Sequence, residues 1–407
     1  MKRLLLSAFC AWAAIGCVTA QTHRYKPEFH LSERNFCDTI PIEVEDGQIY
    51  LTVESGGRRM RLNLDTGSSQ GMVYDGPEAA SWQELGNIVT HDANNRADTV
   101  KVVRMPAFKM GRLVIDGYVA SVIPVPKSQK TGTVERKYDA IIGFDLFNSG
   151  LCGKIDARRK VLILSDRKKA FATEGGYSVK YKLKWFVPYL YVSPFMRHTD
   201  ETLFDTGAQQ LYTMSKQSFD RHLQDDLARL KPLAGMEGSV ESQVEERARG
   251  QLSIGAFGAE QEDEVVFLRL DRLKWGDYAF RQVGAITTQG ASRLGAAVLR
   301  HGSVVINPFK KQLVFQPYDG GSETVVGNKL FGVAYVPRDG RAAVGLIRRG
   351  SDEYKAGMRQ GDIILSIDGK PVRSFADFRR FSFITGNRHR LLLQDSGGRQ
   401  KEVMLQK

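Results

Sequence analysis

The segment Arg61-Leu62-Asn63-Leu64-Asp65-Thr66-Gly67-Ser68-Ser69 is echoed by Glu201-Thr202-Leu203-Phe204-Asp205-Thr206-Gly207-Ala208-Gln209, with the two aspartates 140 positions apart. Each copy is an apolar stretch that closes on Asp-Thr-Gly, and self-similarity over such a distance points to two structural units built on one plan. The frame continues downstream. Ile141-Ile142-Gly143 leads through Ile155-Asp156 to Leu164 as strand, turn and strand, and Arg293-Leu294-Gly295 leads in the same way through Ile306-Asn307 to Phe315. The glycine and the turn residue are 13 positions apart in the first copy and 12 in the second. Duplication of one ancestral unit accounts for both.

Each copy opens on alternating apolar and polar residues, the signature of half-buried strands. These are residues 40–52, with Asp46-Gly47 as a hairpin signal, and 60–64; their counterparts are 177–194 and 202–204. The 40 glycines and 13 prolines have no period, so the expected fold is mainly β. One helix is expected over 215–231, with Phe219, Leu223, Leu227 and Leu230 at helical spacing, followed by a Gly, Glu and Ser rich loop over 235–264. A chain of 407 residues suits this division. The expected units are a lobe at 38–170, a second at 176–318 and a smaller module at 326–407.

The repeat dictates a chemistry if it brings Asp65 and Asp205 face to face. Two carboxylates about 3 Å apart cannot both ionise, so the pair keeps one proton. The ionised member can then take a proton from water while the neutral member donates to a carbonyl oxygen. No metal, cofactor or covalent intermediate is required. Thr66 and Thr206 carry hydroxyls able to brace the two turns, and Gly67 and Gly207 permit close backbone approach. The glycines of Ile142-Gly143 and Leu294-Gly295 are expected to pass behind the two turns, where a side chain would not fit.

On these residues the chain resembles the aspartic peptidases, in particular the retropepsin-like bacterial ones with two lobes in one chain. Leu64-Asp65-Thr66-Gly67-Ser68-Ser69 is similar to the pepsin-type motif and Phe204-Asp205-Thr206-Gly207-Ala208 to the retroviral form. The resemblance covers about 38–318. It implies two tandem retropepsin-like β-barrel lobes with a cleft between them, Asp65 and Asp205 as the catalytic pair, and peptide or protein as substrate. Arg293 departs from the pattern, standing where the family has an apolar residue. Candidate flaps are 100–109 and 253–258. The alternative is a catalytically silent peptide-binding protein of the cell envelope.

Beyond a polar stretch at 317–324, the run Ala356-Gly357-Met358-Arg359-Gln360-Gly361-Asp362-Ile363-Ile364-Leu365-Ser366-Ile367-Asp368-Gly369-Lys370-Pro371-Val372 reads as a helix ending at glycine, a tight turn, a strand and a hairpin. It resembles a bacterial PDZ domain, a small α+β module. By that resemblance the backbone of Phe331, Gly332 and Val333 receives a peptide C-terminus or an added strand. The other role is packing or regulation.

Met1-Lys2-Arg3, an uncharged apolar run and Val18-Thr19-Ala20 read as a cleaved signal over 1–20. The protein is therefore expected to be exported, to the periplasm or cell envelope or beyond, with Cys17 as an alternative lipid anchor and no membrane span. Of four cysteines, Cys37 and Cys152 remain after the signal, which in an oxidising compartment suggests a single disulfide. His and Cys lack metal-ligand spacing, so no metal is expected. Apolar residues at 42% and charged residues at 26% exclude a disordered or collagen-like chain. The +12 net charge is spread along the sequence without an aromatic platform or known motif, which argues against nucleic-acid binding. Both dyad halves in one chain predict a monomer.

Overall fold

The computed structural model describes residues 29–45, 47–92, 96–124, 137–229, 238–252, 254–255, 258–259, 261–381, 383–384 and 386–406. The signal segment and Cys17 lie outside them. The chain is mainly β, with a closed barrel system followed by a five-strand path at the C-terminus.

In the first repeat, Cys37–Glu45 and Gln48–Ser55 form a hairpin, and Arg58–Leu64 adds to it with Leu51 opposite Leu62. Ile40, Ile42, Leu51, Val53, Met60, Leu62 and Leu64 are buried, so the period-two pattern in the sequence is the inward face. The second turn is Gly56-Gly57, both at positive φ, as a two-residue hairpin turn demands. Its counterpart in the second repeat is the hairpin of Tyr177–Lys184 and Val187–Phe195, followed by His198–Asp205.

Both repeats then perform the same crossing. Arg58–Leu64 runs parallel to Ala140–Ile142, which is antiparallel to Gly71–Tyr74. His198–Asp205 runs parallel to Arg293–Gly295, which is antiparallel to Tyr212–Ser215. Each Asp-Thr-Gly turn is thus carried at the end of a strand and threaded past a second strand. A six-stranded antiparallel sheet joins the repeats, in the order Cys37–Glu45, Val161–Ser165, Cys152–Asp156, Gly302–Asn307, Gln312–Pro317, Tyr177–Lys184. Its two halves mirror each other about the central pair, and one apolar core runs through both lobes.

Several expectations need correction. Cys37 and Cys152 are not bridged: Cys37 is exposed and Cys152 buried, and both lie opposite Ser165 on either side of the strand between them. Two strand spacings of about 4.8 Å exceed the reach of a disulfide. Burial pushes the Cys152 thiol up to about 11. The 235–264 segment is not a loop throughout, because Val244–Gly250 pairs with Asp263–Trp275. The polar 317–324 stretch, whose Gly and Ser content reads as a linker between the second lobe and the C-terminal module, ends in a strand instead: Glu323–Val325 pairs parallel with Tyr278–Thr288. Residues 100–109 belong to two hairpins, Gln83–His91 with Ala97–Arg104 and Phe108–Met110 with Leu113–Asp116. The helix is Lys216–Arg229, and its inner face carries Phe219, His222 and Asp226, while Leu227 is exposed.

The C-terminal module orders its strands Val333–Arg338, Arg341–Ile347, Ile363–Ile367, Arg388–Gln394, Gln400–Gln406 around its own core of Val344, Met358, Ile364, Leu391 and Leu393. It is seated on the second lobe. Gly250 lies against Gly345 and Leu346, the Gln251 amide donates to the Gly345 carbonyl at 3.0 Å, and the Asn328 side chain straps the Gly284 backbone at 2.8 and 2.9 Å. Arg348 pairs with Glu245 and Glu246 at 3.1 and 3.3 Å. A side chain at Gly250 has no room in this seam. Gly250→Val, overpacked by about 1–3 kcal/mol, is expected to lift the module off and to speed limited proteolysis between 326 and 332 about tenfold or more. An unchanged rate would show that the seam does not hold the module.

Candidate active site

The two turns meet at the centre of the molecule. Thr66 Oγ1 donates to the Phe204 carbonyl at 2.7 Å and accepts from the Thr206 amide at 3.0 Å. Thr206 Oγ1 donates to the Leu64 carbonyl at 2.7 Å and accepts from the Thr66 amide at 3.0 Å. Both threonines are fully buried, and the four bonds form a reciprocal clamp with matching distances. A Cβ added at Gly67 would lie 2.5 Å from Asp205 Cγ, and one added at Gly207 would lie 2.5 Å from Asp65 Cγ. Each glycine therefore faces the opposite carboxyl, and glycine is what admits it.

The backs of the turns are equally tight. A Cβ at Gly143 would meet the Ser68 carbonyl oxygen at 2.7 Å, and one at Gly295 would collide with the carbonyls of Ala208 and Gln210. The Gly143 amide donates to Tyr118 Oη at 3.0 Å, and that hydroxyl donates to Asp145 Oδ1 at 2.7 Å. Burial pushes the Asp145 carboxyl up to about 7. This support is missing from the second repeat, where Ala297 stands at the equivalent position.

Asp65 Oδ1 accepts the Gly67 amide at 2.8 Å. Asp205 Oδ1 accepts the amides of Gly207 and Ala208 at 2.9 and 3.1 Å. Burial first, then the charge and hydrogen bond of Asp205, push the Asp65 carboxyl up to about 8. A pair in this state holds one proton from acid to neutral pH and can polarise a water in two directions at once.

Groups not singled out in the sequence surround the pair. Gln48 Nε2 donates to the Gly207 carbonyl at 3.1 Å. Tyr138 faces Asp65, with its hydroxyl 3.0 Å from that of Tyr74, and Tyr189 faces Asp205. Tyr189 matches Tyr50 of the first copy in register, a correspondence visible in the repeat, whereas Tyr138 and Tyr74 have no tyrosine counterpart in the second copy and left no such signal. Arg293 Nε lies 3.3 Å from Asp205 Oδ2. Among the described residues no group of three or more His, Cys, Asp or Glu is placed to hold a metal. Nor is any helix of these residues long and apolar enough to cross a membrane.

In the C-terminal module, Phe331 packs against Phe267 of the second lobe at 5.5 Å between ring centroids, within a cluster that includes Leu330, Ala334 and Leu346. The Gly332 carbonyl accepts the Arg348 amide at 2.8 Å, and the Glu353 carboxylate lies against Gly332. Val333 packs on the module's own core. Phe331, Gly332 and Val333 are thus contiguous but partly engaged by the lobe and by an internal acid.

Residues 354–389 match the PDZ domain family, so the C-terminal module carries a PDZ domain. No curated protein matches the chain. Among solved structures, Basic 7S globulin from soybean aligns at 12% identity and a TM-score of 0.38, covering 69% of this chain and 94% of that one. Conglutin gamma, a basic 7S globulin from lupine seeds, aligns at 11% identity and a TM-score of 0.41, covering 70% and 95%.

Proposed function

We propose that the chain is an exported aspartic endopeptidase of the two-lobed retropepsin-like kind, with Asp65 and Asp205 as its catalytic pair. The observation that carries this reading is the reciprocal threonine clamp, which holds two carboxyls together at the junction of two equivalent lobes. A folded chain gains no stability from forcing two acids together, so the arrangement is suited to chemistry.

One carboxylate takes a proton from the water as its oxygen bonds to the peptide carbonyl carbon. The other carboxyl gives its proton to the carbonyl oxygen, producing a tetrahedral diol. The C–N bond then breaks, the leaving nitrogen receives the proton first taken from water, and a diol hydroxyl returns a proton to the second carboxyl. Peptide plus water gives acid plus amine, and the pair regains its single proton.

The PDZ domain suggests a peptide ligand, and Val333–Arg338 is the outermost strand of its sheet, an edge onto which an extended segment can add. Seated on the strand Val244–Gly250, the module regulates access to the second lobe or holds substrate near the cleft. The test is a peptide-library digest read by mass spectrometry. Cleavage is expected with the wild type and not with Asp205→Asn. Equal product patterns from the two would sink the proposal, and tight peptide binding without cleavage by either would favour a silent binding protein.

A further inference from the structure

The repeat supplies an internal comparison. Strand by strand, the surroundings of Asp65 and Asp205 correspond: Tyr50 and Tyr189, Asn63 and Leu203, Ile141 and Arg293 occupy matching register positions. The clamp bonds have the same lengths in both halves. The two halves differ in charge at one of these positions, where the first has the side chain of Ile141 and the second a guanidinium 3.3 Å from a dyad oxygen.

We infer that Arg293 breaks the symmetry of the pair, holding the negative charge on Asp205 and leaving the shared proton on Asp65, so that Asp205 takes the proton from water and Asp65 donates to the carbonyl oxygen. The inference rests on the hydrolytic reading above and assigns the two roles within it. An arginine keeps its charge at every working pH. Its side chain is 15% exposed and that of Asp205 13%, so solvent screens the pair little. Asp205 Oδ1 is already met by two amides, and the guanidinium covers Oδ2, which leaves the Asp205 carboxylate well satisfied as an anion.

The remaining groups that face the pair do not reverse this. Tyr189 looks onto Arg293 and Asp205 from Val187–Phe195, with Lys184 and Glu201 paired beyond it. Burial holds Tyr189 in its neutral form, and Tyr138, on the Asp65 side, likewise. Thr213 lies beside Arg293 on the neighbouring strand, and Arg61, over the Tyr50 ring, is committed to Glu43 and Glu45. Asp145 sits behind the first turn, bonded to Tyr118.

Arg293 is thus a positioning residue that acts through Asp205. A cation beside one acid lets the pair shed its first proton at lower pH, so the singly protonated form extends further into acid. The test is the pH profile of kcat/KM for wild type, Arg293→Met and Arg293→Lys on a peptide the wild type cuts. Arg293→Met should move the acid limb up by about one pH unit or more, with the alkaline limb moving the same way, and Arg293→Lys should restore most of the wild-type profile. An acid limb unmoved in Arg293→Met, or a higher rate for it at every pH, would overturn the inference. Carboxyl NMR titration of the wild type and Arg293→Met reads the same charge placement without catalysis: the proton should sit on Asp65 in the wild type and be shared in the variant. A titration in which Asp205 holds the proton in the wild type would refute it. If cleavage is absent while the titration behaves as expected, the hydrolytic reading fails and the charge assignment stands.

Discussion

Asp65→Asn is expected to lower peptide cleavage about a thousandfold or more while making the fold more stable at pH 8 than the wild type. The loss follows from the proposed mechanism, in which Asp65 is one of two groups that move protons in the same step and general acid–base catalysis contributes roughly 10²–10⁴. The gain follows from the carboxyl that burial and Asp205 push up to about 8. Its folded value lies above its unfolded one, so the folded state binds the proton more tightly. The stabilisation tied to that proton is complete below about pH 4 and is lost as pH rises through 8. Ionising Asp65 in place then costs the fold stability. Asparagine keeps the shape and cannot ionise. Denaturant melts at pH 4, 6 and 8 should therefore show wild-type stability falling across the series and a shallower slope in Asp65→Asn. The slope does not vanish, because Asp145 is raised in the same direction and stays. Parallel slopes for the two proteins would mean that Asp65 is not buried as a proton-holding acid.

The two turns and the glycines behind them were legible because sterics leaves few alternatives. Ile142-Gly143 and Leu294-Gly295 can run under a turn only if nothing projects from the second residue, and the structure places both there. Alternation gave the strands of the first hairpin, since their inward faces are apolar and their outward faces polar. Other features left no such mark. The turn between Tyr177–Lys184 and Val187–Phe195 is Trp185-Phe186, both at positive φ and with Trp185 81% exposed, at a place where glycine or asparagine would have announced a turn. Val244–Gly250 hides in a charged segment because one side of it is solvated and the other takes the PDZ domain. Cys37 and Cys152 were paired by counting, which ignores the strand between them. Arg293 was visible as an oddity of packing. Its meaning needed the distance to Asp205, which only the threaded strand supplies.

Thr206→Ala is expected to destabilise the protein by about 2–5 kcal/mol and to slow cleavage about a hundredfold, with Thr206→Ser close to wild type in both. The side chain serves two groups of the opposite turn, donating to the Leu64 carbonyl and accepting from the Thr66 amide, and both are buried. Alanine strands a buried acceptor and a buried donor together, at roughly 1–3 kcal/mol each. The kinetic loss has a separate origin, because the clamp sets the spacing of the two carboxyls and a displacement of about 1 Å can cost 10²-fold. Thr66→Ala should match Thr206→Ala, since it removes the mirror-image pair of bonds to Phe204 and Thr206. The double variant loses all four bonds, two from each hydroxyl, so its departure from the sum of the two single variants measures how far the two turns relax together. Urea midpoints and kcat/KM for the wild type and the four variants decide it. Single variants within 0.5 kcal/mol of wild type (~0.5, the range of ordinary surface changes) would show that the lobes are held together by the six-stranded sheet alone, and that the clamp exists only to aim the acids.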